Sequence, residues 1–247
     1  MRRALHVLGA SGPKGSAYAA EVLADSPIAY WRMDETSGTT MVDSSGNGRD
    51  GTYSNTPTLG ATSLLPANGG TAVGFNGSDE YATVAHNSAL NGSGAFTFEA
   101  WLKVDNPTAD ALYVIADKTA VGSSNAQWSV WYDNRVSRGS PKRLAFFCAN
   151  STAQLDWNDC ATQVAAGGHV VCTVNGPGAA QTVKMYWNGS EVAVRTNANF
   201  GWSATTLAVS IARLGSGAFY LGGTLDEVAL YSTALSSTRV LAHYNAA

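Results

Sequence analysis

The chain has 247 residues, a formal net charge of −3 and only 13% charged residues. No basic patch or stripe is written in it, which excludes the electrostatic footprint of a nucleic-acid binder. No apolar run approaches the roughly 18 residues of a membrane-spanning helix, so membrane insertion is not expected.

The first residues, MRRALHVLGASG, place two arginines before a short apolar stretch interrupted by His6 and Gly9. That stretch is short for the apolar region of a secretory signal. Residues 1–15 are therefore expected to form a flexible or docking arm. In residues 16–25, Tyr18, Ala19, Val22 and Leu23 stand at helical spacing. Ser26-Pro27 ends that helix, because the residue before a proline avoids the α region.

From Ile28 onward the pattern is one of short strands. Residues 28–33, 72–75 and 81–84 come first. In Phe96–Val104, Phe96, Phe98, Ala100, Leu102 and Val104 share one face, and Thr97, Glu99, Trp101 and Lys103 the other. Period 2 marks a strand with one face in a core. Further strands are expected at 113–116, 127–132, 144–148, 169–174, 183–187, 191–194, 207–214 and 223–231. Asn188-Gly189 between two strand patterns predicts a tight hairpin. A short helix closes the chain, with Ser236 as its N-cap and Leu235, Val240, Leu241 and Tyr244 as its apolar contacts. Both terminal helices are expected to pack on the edge of the sandwich.

Many short strands separated by turn signals argue for an all-β sandwich or jelly roll. No repeat or linker splits the chain. It divides into residues 1–26, an arm and helix that dock on a partner, and residues 27–247, the folded domain. Cys148, Cys160 and Cys172 are an odd count, so they cannot form a fully paired framework. Buried free thiols and a Cys148–Cys160 bridge are the alternatives.

The ordered motifs carry a resemblance. Ala29–Glu35 (AYWRMDE), Asp43–Thr52 (DSSGNGRDGT), Val73–Tyr81 (VGFNGSDEY), Phe96–Leu102 (FTFEAWL) and Leu225–Tyr231 (LDEVALY) follow one another. So arranged, the chain resembles the laminin-G-like, concanavalin A-like jelly-roll domains over roughly residues 28–245. The resemblance implies two antiparallel sheets and short terminal helices. The tryptophan before the family's HVA strand is missing at Gly167-Gly168-His169, and residues 105–165 match weakly. Tyr18–Thr40 and Thr56–Gly60 further resemble the start of such proteins in actinobacterial tailed phages. That implies a minor tail or capsid-surface protein located on the virion, oligomeric within an assembly and docked on other virion proteins through its N-terminal arm. A secreted or cell-surface bacterial carbohydrate-binding adhesin is the alternative.

The residues bear on three kinds of site. Calcium needs several hard oxygen ligands in a short arc with glycine at the sharp turn. Asp43, Ser45 and Asn47 stand two apart, Gly48 follows, and the Arg49 carbonyl comes next. Ser54 occupies the position where an EF-hand has its glutamate, so further ligands must come from elsewhere, and the resemblance points to Asp226. The alternative is an Asx-turn, in which the side chains bond nearby backbone N–H groups. A glycan site is expected at Trp128, Trp131, Tyr132, Trp157 and Trp202, with Asn125, Gln127, Asp133 and Asn134 as polar neighbours. Sugars stack on aromatic faces, but these rings also suit a core or a subunit interface. Catalysis is not expected. Glu99 has no second carboxylate on its strand face, and Asp226-Glu227, being adjacent, should face opposite sides of a strand. His169 is expected to be a structural hydrogen-bonding residue.

Overall fold

A computed structural model describes residues 16–66, 70–119, 127–148, 154–176, 180–198, 202 and 204–247. Residues 1–15, the expected arm, lie outside this set. Helix α1 (Ser16–Ala24) opens it. The strands of the first half are β1 (Ala29–Trp31), β2 (Thr40–Met41), β3 (Gly51–Ser54), β4 (Thr58–Thr62), β5 (Thr71–Asn76), β6 (Tyr81–Val84), β7 (Ala95–Val104) and β8 (Leu112–Asp117). Those of the second half are β9 (Trp128–Asp133), β10 (Arg143–Cys148), β11 (Gln154–Trp157), β12 (Gly168–Asn175), β13 (Gln181–Trp187), β14 (Ser190–Ala198), β15 (Val209–Ile211) and β16 (Gly222–Tyr231). Helix α2 (Ala161–Ala166) precedes β12, and α3 (Ser237–Asn245) ends the chain.

Two eight-stranded sheets result. The first runs β14-β13-β12-β7-β16-β5-β4, with β1 also paired to β16. The second runs β11-β10-β9-β8-β15-β6-β3-β2. Strand pairs are antiparallel throughout, and sequence neighbours are split between sheets, so this is the jelly-roll sandwich that the alternating strands imply. Strands β2, β3, β4 and β11 and helix α2 escaped the sequence pattern, being short or low in apolar residues. The hairpin forms as expected, with Asn188 and Gly189 at φ 50° and 77° between β13 and β14.

The inward residues of the two sheets make one core. Phe96, Phe98, Ala100, Leu102 and Val104 are all buried there. Phe96 and Phe98 meet Trp128 of the opposite sheet at 5.4 and 6.2 Å between ring centroids. Cys160 and Cys172 are buried free thiols, so the Cys148–Cys160 bridge is not formed. Burial pushes the Cys160 thiol up to about 12, which leaves it protonated and inert.

The terminal helices depart from expectation. They lie over the middle of the first sheet, not at its edge. Tyr18 and Val22 of α1 and Val240 of α3 form a second apolar cluster with Trp101, Val171, Tyr186 and Tyr231 from four adjacent strands. Ser236 caps α3 by accepting the Arg239 N–H. The outward face of β7 is therefore buried from Thr97 to Trp101, with Thr97 and Glu99 at 0% exposure.

Candidate functional site

The loop Asp43–Asp50 folds around one carboxylate. Asp43 Oδ1 accepts the backbone N–H of Tyr30 at 3.0 Å and of Ser45 at 2.9 Å, and Oδ2 that of Arg49 at 2.8 Å. Burial pushes this carboxyl up, but the hydrogen bonds from Ser45, Arg49 and Tyr30 outweigh it and hold it below its ordinary value. Asn47 Nδ2 donates to the carbonyls of Pro27 and Ile28 and to Ser45 Oγ. The Arg49 carbonyl accepts the Trp31 indole N–H at 2.8 Å. Each of these groups already faces a hydrogen-bond partner, as in the Asx-turn alternative. The loop pins β1 to the second sheet.

Asp226 is held by another segment. Its Oδ2 accepts from Ser63 Oγ at 2.9 Å and from the Leu64 N–H at 3.0 Å. Burial, followed by the charge of Glu227, pushes it up to about 8. The donor set Asp43, Ser45, Asn47, Arg49 and Asp226 is therefore not arranged for a calcium ion: both Asp43 oxygens, Ser45 Oγ and the Arg49 carbonyl face N–H donors, and Asp226 is bound by Ser63 and Leu64 instead.

A β-bulge corrects the expectation for Asp226-Glu227. The pairing of β16 with β7 slips between Asp226 and Ala229, and Glu227 takes φ 52°. Leu225 and Val228 both enter the core. The two carboxylates between them consequently share the outward face instead of opposing one another. Glu227 is bound by the Tyr30 hydroxyl and by Arg32 Nη2 at 3.1 Å.

The five aromatic candidates separate by depth. Trp128 is fully buried, with its indole N–H on the Leu90 carbonyl at 3.1 Å. Tyr132 is also core, its hydroxyl on the Pro107 carbonyl at 2.7 Å. Trp157 packs against Trp187 at 5.4 Å, and Trp202 against Phe96 at 5.7 Å, both as flanks of the core. Of the polar neighbours, Asn125 lies outside the described residues. Gln127 is buried with its carbonyl on the Gly92 N–H, Asp133 is tied to Arg135 and Arg143, and the Asn134 amide donates to the Ala109 carbonyl. Trp131 alone lines a surface depression, one of about 460 Å³ on the outward face of the second sheet. Arg143 lies 5.2 Å over its ring.

That face is built by register. Gln154 pairs Phe147, Phe147 pairs Ser129, Ser129 pairs Asp117, Asp117 pairs Ser210 and Ser210 pairs Thr83. Period-2 alternation keeps all six outward, so a mostly polar rung crosses six strands. A second depression of about 430 Å³ lies along it at Thr83, Ser210 and Arg213. Thr119 lines both depressions, so they adjoin along this face, and together they are called the groove.

The sequence reading missed a buried polar cluster under the terminal helices. Glu99 Oε1 meets His169 Nε2 at 2.7 Å, His243 Nδ1 at 2.9 Å and the Tyr18 hydroxyl at 2.9 Å, and Oε2 accepts the Tyr231 hydroxyl at 2.6 Å. On the far side of His243, Nε2 meets Asp25 at 2.9 Å, and Arg239 binds both Asp25 and Glu21. Burial pushes Glu99 up, but the hydrogen bonds and charges of His169 and His243 outweigh it and hold it well below the carboxylate range. Burial likewise pushes His243 down, and the bond and charge of Glu99, then Asp25, reverse this and raise it. Glu99 and His169, seen in the sequence as a lone acid and a structural histidine, are both structural partners in one clamp.

The comparisons agree with the architecture. Residues 76–241, more than half of the chain, match the laminin-G type 3 family, described as the concanavalin A-like lectin/glucanases superfamily. No curated protein matches the sequence. The binding domain of botulinum neurotoxin serotype D superposes with a TM-score of 0.67 at 14% identity, over 93% of this chain and 52% of that one. The binding domain of Paraclostridial Mosquitocidal Protein 1 gives 0.66 at 14% identity, over 90% and 52%. The botulinum neurotoxin serotype C1 binding domain gives 0.64 at 14% identity, over the same shares. The chain spans about half the length of these structures, and at such identity the likeness is one of fold. With its two sheets, its ordered motifs and this match, the chain belongs to the concanavalin A-like lectin/glucanase superfamily.

Proposed function

We propose that the chain is a non-enzymatic glycan-binding module, carried by a structural protein at the surface of a tailed-phage virion and used to hold host-wall sugars. The observation that carries the binding part is the groove across the second sheet. Concave polar sites with one presented aromatic ring suit sugars, whose apolar faces stack while their hydroxyls bond. Trp131 supplies the ring, and Ser129, Thr119 and Gln154 supply hydroxyl and amide groups beside it. The solved structures of like fold are named as binding domains, which agrees with this use. The virion assignment rests on the resemblance of residues 18–60 to phage proteins. Docking in the particle falls to residues 1–15, because α1 is itself packed onto the domain.

Purified protein on an array of bacterial-wall glycans tests the binding part. Wild type should bind, and Trp131→Ala should lose binding while keeping its circular dichroism spectrum. Binding unchanged in Trp131→Ala, or no binding at all, refutes the groove as a glycan site. Separately, the protein should co-purify with virions, and a chain lacking residues 1–15 should fold but not incorporate. Normal incorporation of that truncated chain removes the docking role.

A further inference from the structure

This inference rests on the glycan reading of the groove and specifies its ligand. We infer that the groove takes an acidic glycan, an extended oligosaccharide bearing carboxylate or phosphate groups and lying across the strands. What a ligand meets decides this. Arg135, Arg138 and Arg143 line the Trp131 depression, and among the described residues no carboxylate does. Four acids lie nearby, and each is turned to another task. Asp117, in the rung itself but without exposed surface, accepts from the Thr119 N–H and hydroxyl and from the Gly215 N–H. Asp133, which has no exposed surface, binds Arg135 at 2.8 Å and Arg143 at 3.3 Å. Asp156 binds the other Arg143 nitrogen at 3.2 Å. Asp110 accepts the Val136 N–H at 2.7 Å.

Sugar hydroxyls both donate and accept, so a site for neutral sugars needs acceptors as well as donors. Here guanidinium donors face the Trp131 ring. Arg143 is fixed in advance by two carboxylates and the Trp131 ring, so little rotamer freedom is lost when it binds. Its Nε has no hydrogen-bond partner among the described residues. Arg138 is exposed and has no ion pair among them. Planar guanidinium forks match carboxylate and phosphate oxygens in pairs.

The far end of the groove repeats the pattern. Arg213 lines the second depression, with its guanidinium 3.4 Å from the Tyr81 ring centroid. Its Nε also has no partner among the described residues. The rung crosses from β11 to β6, with Arg143 on β10 and Arg213 just beyond β15. The three strand spacings between the two arginine groups make about 14 Å, the reach of a short oligosaccharide. A ligand with negative charge repeated along its length meets cations at both ends.

Isothermal titration calorimetry of the whole chain tests this with four probes. They are a hexameric oligogalacturonate, its methyl-esterified neutral form, a glycerol-phosphate wall polymer and polyglutamate. The oligogalacturonate or the phosphate polymer should bind, and whichever binds identifies the anion. Esterification should weaken binding at least about tenfold, and Arg138→Gln about tenfold, the scale of one charge-assisted hydrogen bond. Arg138→Gln alters an exposed side chain and leaves the fold intact. Equal binding of the neutral form, lost in Trp131→Ala, overturns the acidic preference and leaves the glycan reading standing. Polyglutamate binding as well as either sugar polymer, undiminished in Trp131→Ala, overturns both, as does the failure of every sugar to bind. Against a dimeric oligogalacturonate run as a fifth probe, too short to reach both arginine groups, Arg213→Gln should weaken the hexamer and not the dimer. Equal loss or no loss in both overturns the spanning pose.

Discussion

Replacing Glu99 by Gln tests whether one buried carboxylate holds the terminal helices on the sheet. The change keeps the volume, removes the charge and puts an amide NH2 among donors from Tyr18, Tyr231, His169 and His243. Hydrogen bonds to a charged group contribute about 1.5–3 kcal/mol each. The glutamine retains one acceptor and the neighbours relax, so the loss is far below the sum. Removing one partner of a buried ion pair costs about 3–5 kcal/mol. For a chain of this size about 1 kcal/mol moves Tm by roughly 2–4 °C, which gives a fall of about 10 °C. The pH dependence carries a sign. The folded pKa of Glu99 lies below its ordinary 4.5, so its contribution is full above 4.5 and is lost as pH falls through the folded value. That of His243 lies above its ordinary 6.5, so its contribution is full below 6.5 and is lost as pH rises through the folded value. Both act fully between those two values. Calorimetric melts of wild type and Glu99→Gln should therefore differ most near pH 5.5 and converge on the alkaline side. A difference under about 2 °C, or one that stays constant from pH 5.5 to 9, refutes the clamp.

Two further predictions concern the loop and the bulge. Asp43→Ala removes the acceptor of three backbone N–H groups, and should cost about 1–3 kcal/mol in denaturant melts. The melts of wild type should coincide in calcium and in chelator, and a rise with calcium that Asp43→Ala abolishes would restore the metal role of the loop. Asp226→Asn should stabilise the protein at alkaline pH. A carboxyl whose folded pKa stands at about 8 against an ordinary 3.8 makes stability fall as pH rises between those values. At pH 7 the cost is at most about 4 kcal/mol, from about 1.36 kcal/mol per pKa unit. The gain in Asp226→Asn should vanish at pH 4, and an equal gain at both pH values would refute the ionisation account.

Much of the fold was legible because it is local. The alternation in Phe96–Val104, the Asn188-Gly189 turn and the Ser236 cap each lie within ten residues and each forms as written. The site was less legible because it depends on register. Nothing in the sequence says that Ser129 stands between Asp117 and Phe147, or that Trp131 looks outward while its neighbours Val130 and Tyr132 enter the core. The strand period gave that alternation, but the outward side could not be recognised as open without knowing where α1 and α3 would pack. The Glu99 cluster was hidden more deeply. Its partners come from positions 18, 169, 231 and 243, and only the jelly-roll crossings bring them to one point. The bulge at Asp226–Ala229 defeated the simple period-2 rule in the same way, since one extra residue turns two adjacent carboxylates to one face.

The outward faces of the two sheets solve opposite problems. On β7 the outward residues are Thr97, Glu99 and Trp101, and both chain ends are used to cover them. On β9 they are Ser129, Trp131 and Asp133, and Trp131 is left half-buried in a groove beside an arginine. Leaving a large ring in contact with water forgoes about 25 cal/mol per Å² of apolar surface, which stacking of a sugar would recover under the glycan reading proposed above. Recognition should therefore be confined to one face. Glu99→Gln should melt lower and, while folded, bind sugar as wild type does. Trp131→Ala should lose the sugar and, because the buried half of the ring and its Arg143 contact contribute about 2–3 kcal/mol, also melt lower by about 5–10 °C. Loss of sugar binding in folded Glu99→Gln would show that the clamp under the helices shapes the groove on the opposite sheet.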